Sequence, residues 1–282
     1  MELDGSTWGP AQPDRSTEKI VLLHGMGGAG KLWRPIAAAL EEQFKIFAPD
    51  QRGHGKSRYL PENANSATLT FTPLDYGLDL VETLGSLGFH PTWVVGHSMG
   101  VRTACAFAHL RPEWTRGLVL IDLGFAGPAG GGLGEGLARF LLKLPTRFPT
   151  RAEARDFMAQ ECPDSSIAQY LMAVSELDIA SGELCFPFDR AALIATIDAA
   201  QNSSVRPWVY DLGARNLPIL VLRGKNSLVW THEQFEEERA LFADHPSIQF
   251  REIEGAGHGL PFEKRPEFIA ILLEFFTQCA TR

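Results

Sequence analysis

The sequence has no apolar run long enough to cross a bilayer. No window approaches the roughly 18 consecutive apolar residues that a membrane-spanning helix requires. The first residues, Met1-Glu2-Leu3-Asp4, are acidic and lack the basic-then-apolar pattern of a secretory signal. The four cysteines show no C-x-x-C spacing, so they predict neither a metal site nor a disulfide framework. These absences favour a cytoplasmic protein with no membrane partner.

The sequence also lacks an excess of positive charge, with 26 Lys and Arg against 34 Asp and Glu and a formal net charge of −8. Because nucleic-acid backbones bind clusters of Lys and Arg, this balance argues against a nucleic-acid partner. Hydrophobic residues make up 45% and charged residues 21% of the chain, which is typical of a folded enzyme. A length of 282 residues fits one large α/β domain with an insertion.

Strand and helix patterns alternate over the first 122 residues. Short apolar runs, the first at residues 20–23, end in turn residues and are followed by apolar residues at helical spacing. This alternation is typical of a parallel sheet covered by helices on both faces, and it resumes at residue 218. Residues 1–122 and 208–282 are therefore predicted to form one α/β core. Residues 123–207, called the insertion below, begin in a glycine-rich linker and then show only helical patterns, which predicts a helical cap.

The segment Gly96-His97-Ser98-Met99-Gly100 matches G-x-S-x-G and lies between a predicted strand and a predicted helix. A serine on such a sharp turn takes a strained backbone conformation, and side chains at the two glycine positions would collide with neighbouring backbone. The turn presents the Ser98 hydroxyl above the sheet, and the Met99 amide at the helix N-terminus faces a forming oxyanion. We therefore predict Ser98 as nucleophile and Met99 as an oxyanion-hole donor; the alternative is a serine in an ordinary turn.

Two further loops carry candidate residues. The segment His24-Gly25-Met26-Gly27-Gly28 follows the first predicted core strand, where folds with this serine turn place the second oxyanion-hole amide, here that of Met26. Among the eight histidines, only His258 lies in a loop after the last predicted strand, which predicts it as the general base. The alternative is a surface histidine. His24 and His54 are interpreted as structural turn residues, and His97 as pointing away from the tip of the serine turn.

The acid that orients the histidine is absent from its commonest place. The turn after the penultimate core strand, residues 222–228, contains no Asp or Glu. Two interpretations stay open: the protein is catalytically crippled, or the acid lies elsewhere. Asp122 is the candidate, because it ends the strand after the nucleophile helix, where functional groups of parallel sheets collect. The alternative for Asp122 is a loop-capping residue. Ser227 would then place a hydroxyl at the usual acid position, in support of His258 or Asp122.

These segments together resemble the α/β-hydrolase esterases, and most of all their small bacterial YbfF-type branch. The resemblance covers about residues 19–122 and 217–278 and fades in the insertion. It implies a mainly parallel, doubly wound sheet of the α/β-hydrolase type with an inserted helical cap. It also implies a Ser–Asp–Ser–His tetrad, with Asp122 after the sixth strand and Ser227 in a Gly-x-Asn-Ser turn after the seventh. The segments that carry the resemblance are His24-Gly25, Asp50-x-Arg52-Gly53-His54-Gly55, Gly96-His97-Ser98-Met99-Gly100, Ile121-Asp122, Arg223-Gly224-Lys225-Asn226-Ser227 and Gly255-Ala256-Gly257-His258.

The expected activity is hydrolysis of small-molecule carboxylic esters, or of acyl thioesters, without cofactor or metal. A C–C bond hydrolase or lactonase on the same scaffold, and a non-catalytic ligand-binding protein, are the alternatives. The natural substrate and the choice between monomer and homo-oligomer stay open. Seven large side chains of the insertion are expected to line an apolar acyl pocket or else to form the core of the insertion: Phe140, Leu141, Phe148, Phe157, Tyr170, Phe186 and Phe188.

Overall fold

A computed structural model describes residues 1–14, 16–58, 70–127 and 133–280. Part of the predicted glycine-rich linker lies outside the described residues. Over the described ranges, the strands in chain order are β1 (Gly5–Trp8), β2 (Lys19–Leu23), β3 (Lys45–Pro49), β4 (Thr92–His97), β5 (Thr115–Ile121), β6 (Arg147–Phe148), β7 (Glu176–Leu177), β8 (Leu184–Cys185), β9 (Ile219–Gly224) and β10 (Ile248–Ile253).

The α-helices lie between these strands and after the last of them. In chain order within the described ranges they are α1 (Arg34–Leu40), α2 (Pro73–Leu87), α3 (Met99–Leu110), α4 (Leu133–Lys143), α5 (Arg151–Glu161), α6 (Ser165–Val174), α7 (Arg190–Gln201), α8 (Arg206–Ala214), α9 (His232–Leu241), α10 (Leu260–Glu263) and α11 (Arg265–Ala280). None of the helices in the described ranges is long and apolar enough to span a membrane.

The main sheet has seven strands in the order β1-β3-β2-β4-β5-β9-β10. Every neighbouring pair is parallel except β1 and β3, which pair antiparallel at one edge. Helices α2, α3, α8 and α9 cover one face, and α1 and α11 cover the other. Alternate strand residues enter the two cores: Val94 of β4 packs on the first face, and Trp93 and Val95 pack on the second. The mainly parallel α/β architecture predicted from the sequence is confirmed.

Local sequence explains where the α2 helix begins and ends. Thr72 accepts a hydrogen bond from the amide of Asp75, and the Asp75 side chain accepts one from the Thr72 amide, which is a reciprocal capping box. Pro73 occupies the first turn, where its missing amide hydrogen costs nothing. The helix stops at Gly88, whose φ of 58° lies in the left-handed region that favours glycine.

The insertion between β5 and β9 has its own hydrophobic cluster, built by α4 to α7 and the short strands. It also contains a three-stranded antiparallel sheet in the order β6-β8-β7, so the expectation of helices alone was wrong. Each of these strands has two residues, which is too short for an alternating pattern to show in the sequence. The domain boundaries at residues 122/123 and 207/208 stay a prediction.

The two ends of the insertion are joined beside helix α3. The amide of Val205 donates to the carbonyl of Phe125 at 2.9 Å. The buried Arg102 of α3 donates to the carbonyls of Ala126, at 2.8 Å, and Ser203, at 2.7 Å. One guanidinium therefore binds the chain where it enters the insertion and where it leaves.

Glu238 of α9 holds the same junction through its carboxylate. It accepts hydrogen bonds from the amides of Phe125 and Ala126, each at 3.3 Å, and pairs with Arg206 at 2.9 Å. The Glu238 side chain is 4% exposed, so these groups would find little water in its place.

Glu238→Ala should therefore lower the free energy of unfolding by about 2 kcal/mol, because it leaves buried amides without an acceptor. Urea denaturation measures the change. The matched control is Glu254→Ala, since the Glu254 carboxylate is 80% exposed and pairs with the half-exposed Lys225. That variant should unfold close to wild type. Equal losses in both variants would contradict the structural role of Glu238.

Candidate active site

Ser98 lies in a tight turn between β4 and α3. Its φ of 53° and ψ of −122° are strained for a residue with a side chain. A Cβ at Gly96 would lie 2.3 Å from the carbonyl oxygen of Gly100, and one at Gly100 would lie 2.6 Å from that of Leu23. Only glycine fits at both positions, so the sequence pattern around Ser98 follows from the close approach of the backbone.

His258 lies in the loop after β10 and contacts Ser98. Its Nε2 is 3.0 Å from Ser98 Oγ, and its Nδ1 is 2.7 Å from Oδ2 of Asp122. With Nδ1–H donating to the carboxylate, Nε2 is free to accept the Ser98 hydroxyl proton. The His258 side chain is 9% exposed and that of Asp122 is fully buried. The three side chains thus form one chain of hydrogen bonds at the carboxyl edge of the sheet.

Asp122 directly follows β5 and has a left-handed backbone with φ of 56°. Besides His258, it accepts hydrogen bonds from the Gly224 amide, at 2.9 Å, and from the Ser227 hydroxyl, at 2.5 Å. Three donors on a buried carboxylate fix its orientation. The structure thus brings together Ser98, His258, Asp122 and Ser227, four of the six site residues selected from the sequence.

The two predicted oxyanion-hole amides belong to a residue next to Ser98 in the chain, Met99, and to a residue of the same pocket, Met26. Met99 is the first residue of α3, and a first-turn amide has no acceptor within its own helix. Met26 belongs to residues 24–28, called the oxyanion loop below, and it lines a pocket together with Ser98. Among the described residues, none accepts a hydrogen bond from the Met26 amide.

His24 and His54 hold the oxyanion loop in place. Nδ1–H of His24 donates to the Gly25 carbonyl at 2.8 Å, and its Nε2 accepts from the Gln51 amide at 3.0 Å. Nε2 of His54 accepts from the Gly27 amide at 3.0 Å. Burial lowers the pKa of His24 to about 4 and that of His54 to about 3, so both rings stay neutral and keep these roles at neutral pH. Their contacts fit the structural interpretation.

His97 is placed differently from the sequence interpretation, which had it point away from the tip of the serine turn. His97 is one of the residues that line the pocket, and its Nε2–H donates to the backbone carbonyl of His258 at 2.7 Å. Burial, followed by the charge of His258, lowers the pKa of His97 to about 3. His97 thus ties the strand before Ser98 to the loop that carries His258. The sequence feature that could have predicted this hydrogen bond is the position of His97 directly before Ser98.

The pocket at Ser98 is closed on one side by the insertion. Of the seven large side chains selected there from the sequence, only Tyr170 lines it; the other six pack in the cluster of the insertion. Leu137, Ser166 and Ile167 are lining residues that sequence reasoning missed, because nothing in a helical pattern marks which side faces the main sheet. The pocket is lined by Gly25, Met26, His97, Ser98, Leu137, Ser166, Ile167, Tyr170, His258 and Gly259.

One group of side chains away from this pocket has metal-ligand character. Ligand atoms of His232, Glu236 and Glu252 lie within 4.8 Å of one another on the surface. Glu252 is already paired with Arg223 and with His232. Because Arg223 neutralises the charge of Glu252, it weakens the affinity of that carboxylate for a cation. We therefore assign this group no role.

A mostly parallel sheet whose carboxyl edge carries serine, histidine and aspartate in hydrogen-bond contact is the arrangement of an α/β hydrolase. The profile of the Alpha/beta hydrolase family matches residues 20–271, and the chain belongs to that family. It is 26% identical over 272 residues to an sn-1-specific diacylglycerol lipase of Mus musculus, which covers 93% of this chain and 82% of that protein.

Solved structures confirm the fold. A marine microorganism esterase matches with a TM-score of 0.77 at 22% identity, over 97% of this chain and 99% of that one. The E-2-(acetamidomethylene)succinate hydrolase matches with a TM-score of 0.75 at 21% identity, over 98% and 95% of the two chains. The protein is thus a hydrolase of the α/β-hydrolase fold with relatives of the esterase and lipase type.

Proposed function

We propose that the protein is a serine hydrolase that cleaves small carboxylic esters, and acyl thioesters as a second class, through an acyl-enzyme. The observation that carries this proposal is the continuous hydrogen-bonded chain from Ser98 through His258 to Asp122. Nucleophile, base and orienting acid in this contact are the parts that acyl transfer requires. The esterase and lipase names among the relatives support the same reaction class.

In the first half of the reaction, Ser98 Oγ attacks the ester carbonyl while His258 Nε2 takes the hydroxyl proton. The Met26 and Met99 amides hold the oxyanion, and Asp122 stabilises the imidazolium. When the C–O bond breaks, the proton passes from His258 to the leaving alcohol. Water then attacks the acyl-enzyme with His258 again as base, the acid leaves, and the proton returns to Ser98.

We assign Ser227 to support Asp122 rather than His258. The Ser227 hydroxyl donates to Oδ2, the same carboxylate oxygen that accepts from His258, and itself accepts from the Val229 amide at 3.2 Å. This Ser–His–Asp–Ser arrangement supports membership in the YbfF-type branch. Since the turn after β9 places a hydroxyl where an acid is common, the absent acid there is no sign of an inactive site.

The lining of the pocket supports an uncharged substrate. Its lining residues include no Asp, Glu, Lys or Arg, and Met26, Leu137 and Ile167 are apolar. A charged substrate would lose its hydration there without gaining a partner. We propose that the insertion acts as the cap that closes this pocket over the acyl group.

A fluorophosphonate probe and a panel of p-nitrophenyl esters test the proposal. We expect the probe to label the wild-type protein and Ser166→Ala, and to leave Ser98→Ala unlabelled. Ser166 is the matched control, because it lines the same pocket but donates to Asp164 at 2.5 Å instead of contacting a histidine. Turnover should depend on ester chain length, and acyl-CoAs tested beside the esters rank the two classes. A folded wild-type protein without labelling would favour the non-catalytic alternative.

A further inference from the structure

Tyr170 of α6 reaches from the insertion to the oxyanion loop. Its hydroxyl oxygen accepts a hydrogen bond from the Gly25 amide at 2.8 Å, and its hydroxyl proton faces the Gly25 carbonyl at 3.3 Å. Burial raises the pKa of Tyr170 above its usual range, so the hydroxyl keeps its proton. A residue 145 positions away along the chain thus binds both polar backbone atoms of Gly25.

The loop is shaped to receive this hydroxyl. A Cβ at Gly28 would lie 2.0 Å from the Tyr170 oxygen, so a larger residue at that position would displace it. The ring of Tyr170 lies 5.9 Å, between centroids, from both His97 and Phe262. The position of the Tyr170 side chain is therefore fixed by contacts of its ring and of its hydroxyl group.

These contacts bear on the Met26 amide through the geometry of the peptide unit. The Gly25 carbonyl and the Met26 N–H belong to one planar trans peptide, so they point in opposite directions. Besides Tyr170, the Gly25 oxygen accepts from His24 Nδ1, at 2.8 Å, and from the Gly28 amide, at 3.0 Å. Donors that hold the oxygen on one side therefore aim the Met26 N–H to the other.

We propose that Tyr170 is a positioning residue for the oxyanion hole, supplied by the insertion to the core. The inference rests on the proposed ester hydrolysis. It adds that the insertion must pack on the core for the Met26 N–H to point at the oxyanion. Charge develops on the carbonyl oxygen in the transition state more than in the bound ester. If the Met26 N–H loses this orientation, kcat therefore falls and KM stays nearly unchanged.

Tyr170→Phe tests this, because it keeps the ring and removes the hydroxyl. We expect kcat on a soluble p-nitrophenyl ester to fall about 10- to 100-fold, less than or equal to the loss of a whole oxyanion donor, with KM within twofold. The Ki of a trifluoromethyl ketone analogue, whose adduct carries the oxyanion, should rise by the same factor as kcat/KM falls. Gly28→Ala, which displaces the hydroxyl from the other side, should lower kcat in the same way.

Tyr76→Phe is the matched control. The buried Tyr76 hydroxyl also joins core to insertion, through a 2.6 Å hydrogen bond to Thr196, but Tyr76 does not line the pocket. It should keep wild-type kcat and Ki. Equal losses in both Phe variants, an unchanged kcat in Tyr170→Phe, or a change in KM alone would overturn the inference. A wild-type protein without Ser98-dependent turnover would contradict the proposed function, and the inference with it.

Discussion

Ser98→Ala and His258→Ala should each reduce ester turnover by about 10⁶-fold, and the double variant should be little slower than either. The reason is that the two side chains share one proton across the 3.0 Å contact between Nε2 and Oγ. Without the hydroxyl, the base has no proton to take, and without the base, the hydroxyl is a weak nucleophile. The measurement is kcat on one soluble ester for the three variants and the wild type.

The control for this series is His232→Ala. His232 is 58% exposed and lies outside the pocket, so its loss should leave kcat unchanged. If the losses from Ser98→Ala and His258→Ala instead multiply in the double variant, the two residues act independently. The proposed pairing would then be wrong, even if both residues proved important.

The core of the fold was predictable because each buried strand ends in turn residues before a helix begins. Runs such as residues 20–23 enter both hydrophobic cores, which is why they are apolar throughout. The two-residue strands β6, β7 and β8 were not predictable, since their pairing is set by the packing of the insertion. The local sequence pattern cannot predict a contact that forms only when segments distant in the chain pack together.

The same division holds at the site. Ser98 could be selected from the sequence because its strained turn requires glycine at positions 96 and 100, so the signal lies in five adjacent residues. His258 and Asp122 could be selected because both follow core strands, whose carboxyl ends meet at one edge of the sheet. Tyr170 was selected only as a possible pocket residue, and its contact with Gly25 was missed. Tyr170 lies on a helix of the insertion. The local sequence does not show which side of that helix packs against the core.

Asp122→Asn should lower kcat by about 10⁴-fold, the loss seen when the acid of a comparable triad is replaced by its amide. The amide keeps the shape of the carboxyl group. Its NH₂ group, or its weaker carbonyl, would face Nδ1 of His258 in place of a charged oxygen at 2.7 Å. The ring would then favour the tautomer with its proton toward Ser98, which cannot act as a base. Circular dichroism of the variant establishes that it is folded, and near wild-type turnover would exclude Asp122 as the acid.

Ser227→Ala is the matched change on the same carboxylate, and it should cost about tenfold in kcat, since one hydrogen bond contributes about 1 kcal/mol. Asp122 would keep its contacts with His258 and the Gly224 amide. Ser227→Asp in the Asp122→Asn background should restore part of the activity, because the Ser227 hydroxyl lies 2.5 Å from the carboxylate oxygen that contacts His258. Leu228→Asp should restore less, because Leu228 is 63% exposed and faces solvent. Rescue in the opposite order would mean that the turn after β9 approaches His258 through residue 228, and that Ser227 has a packing role only.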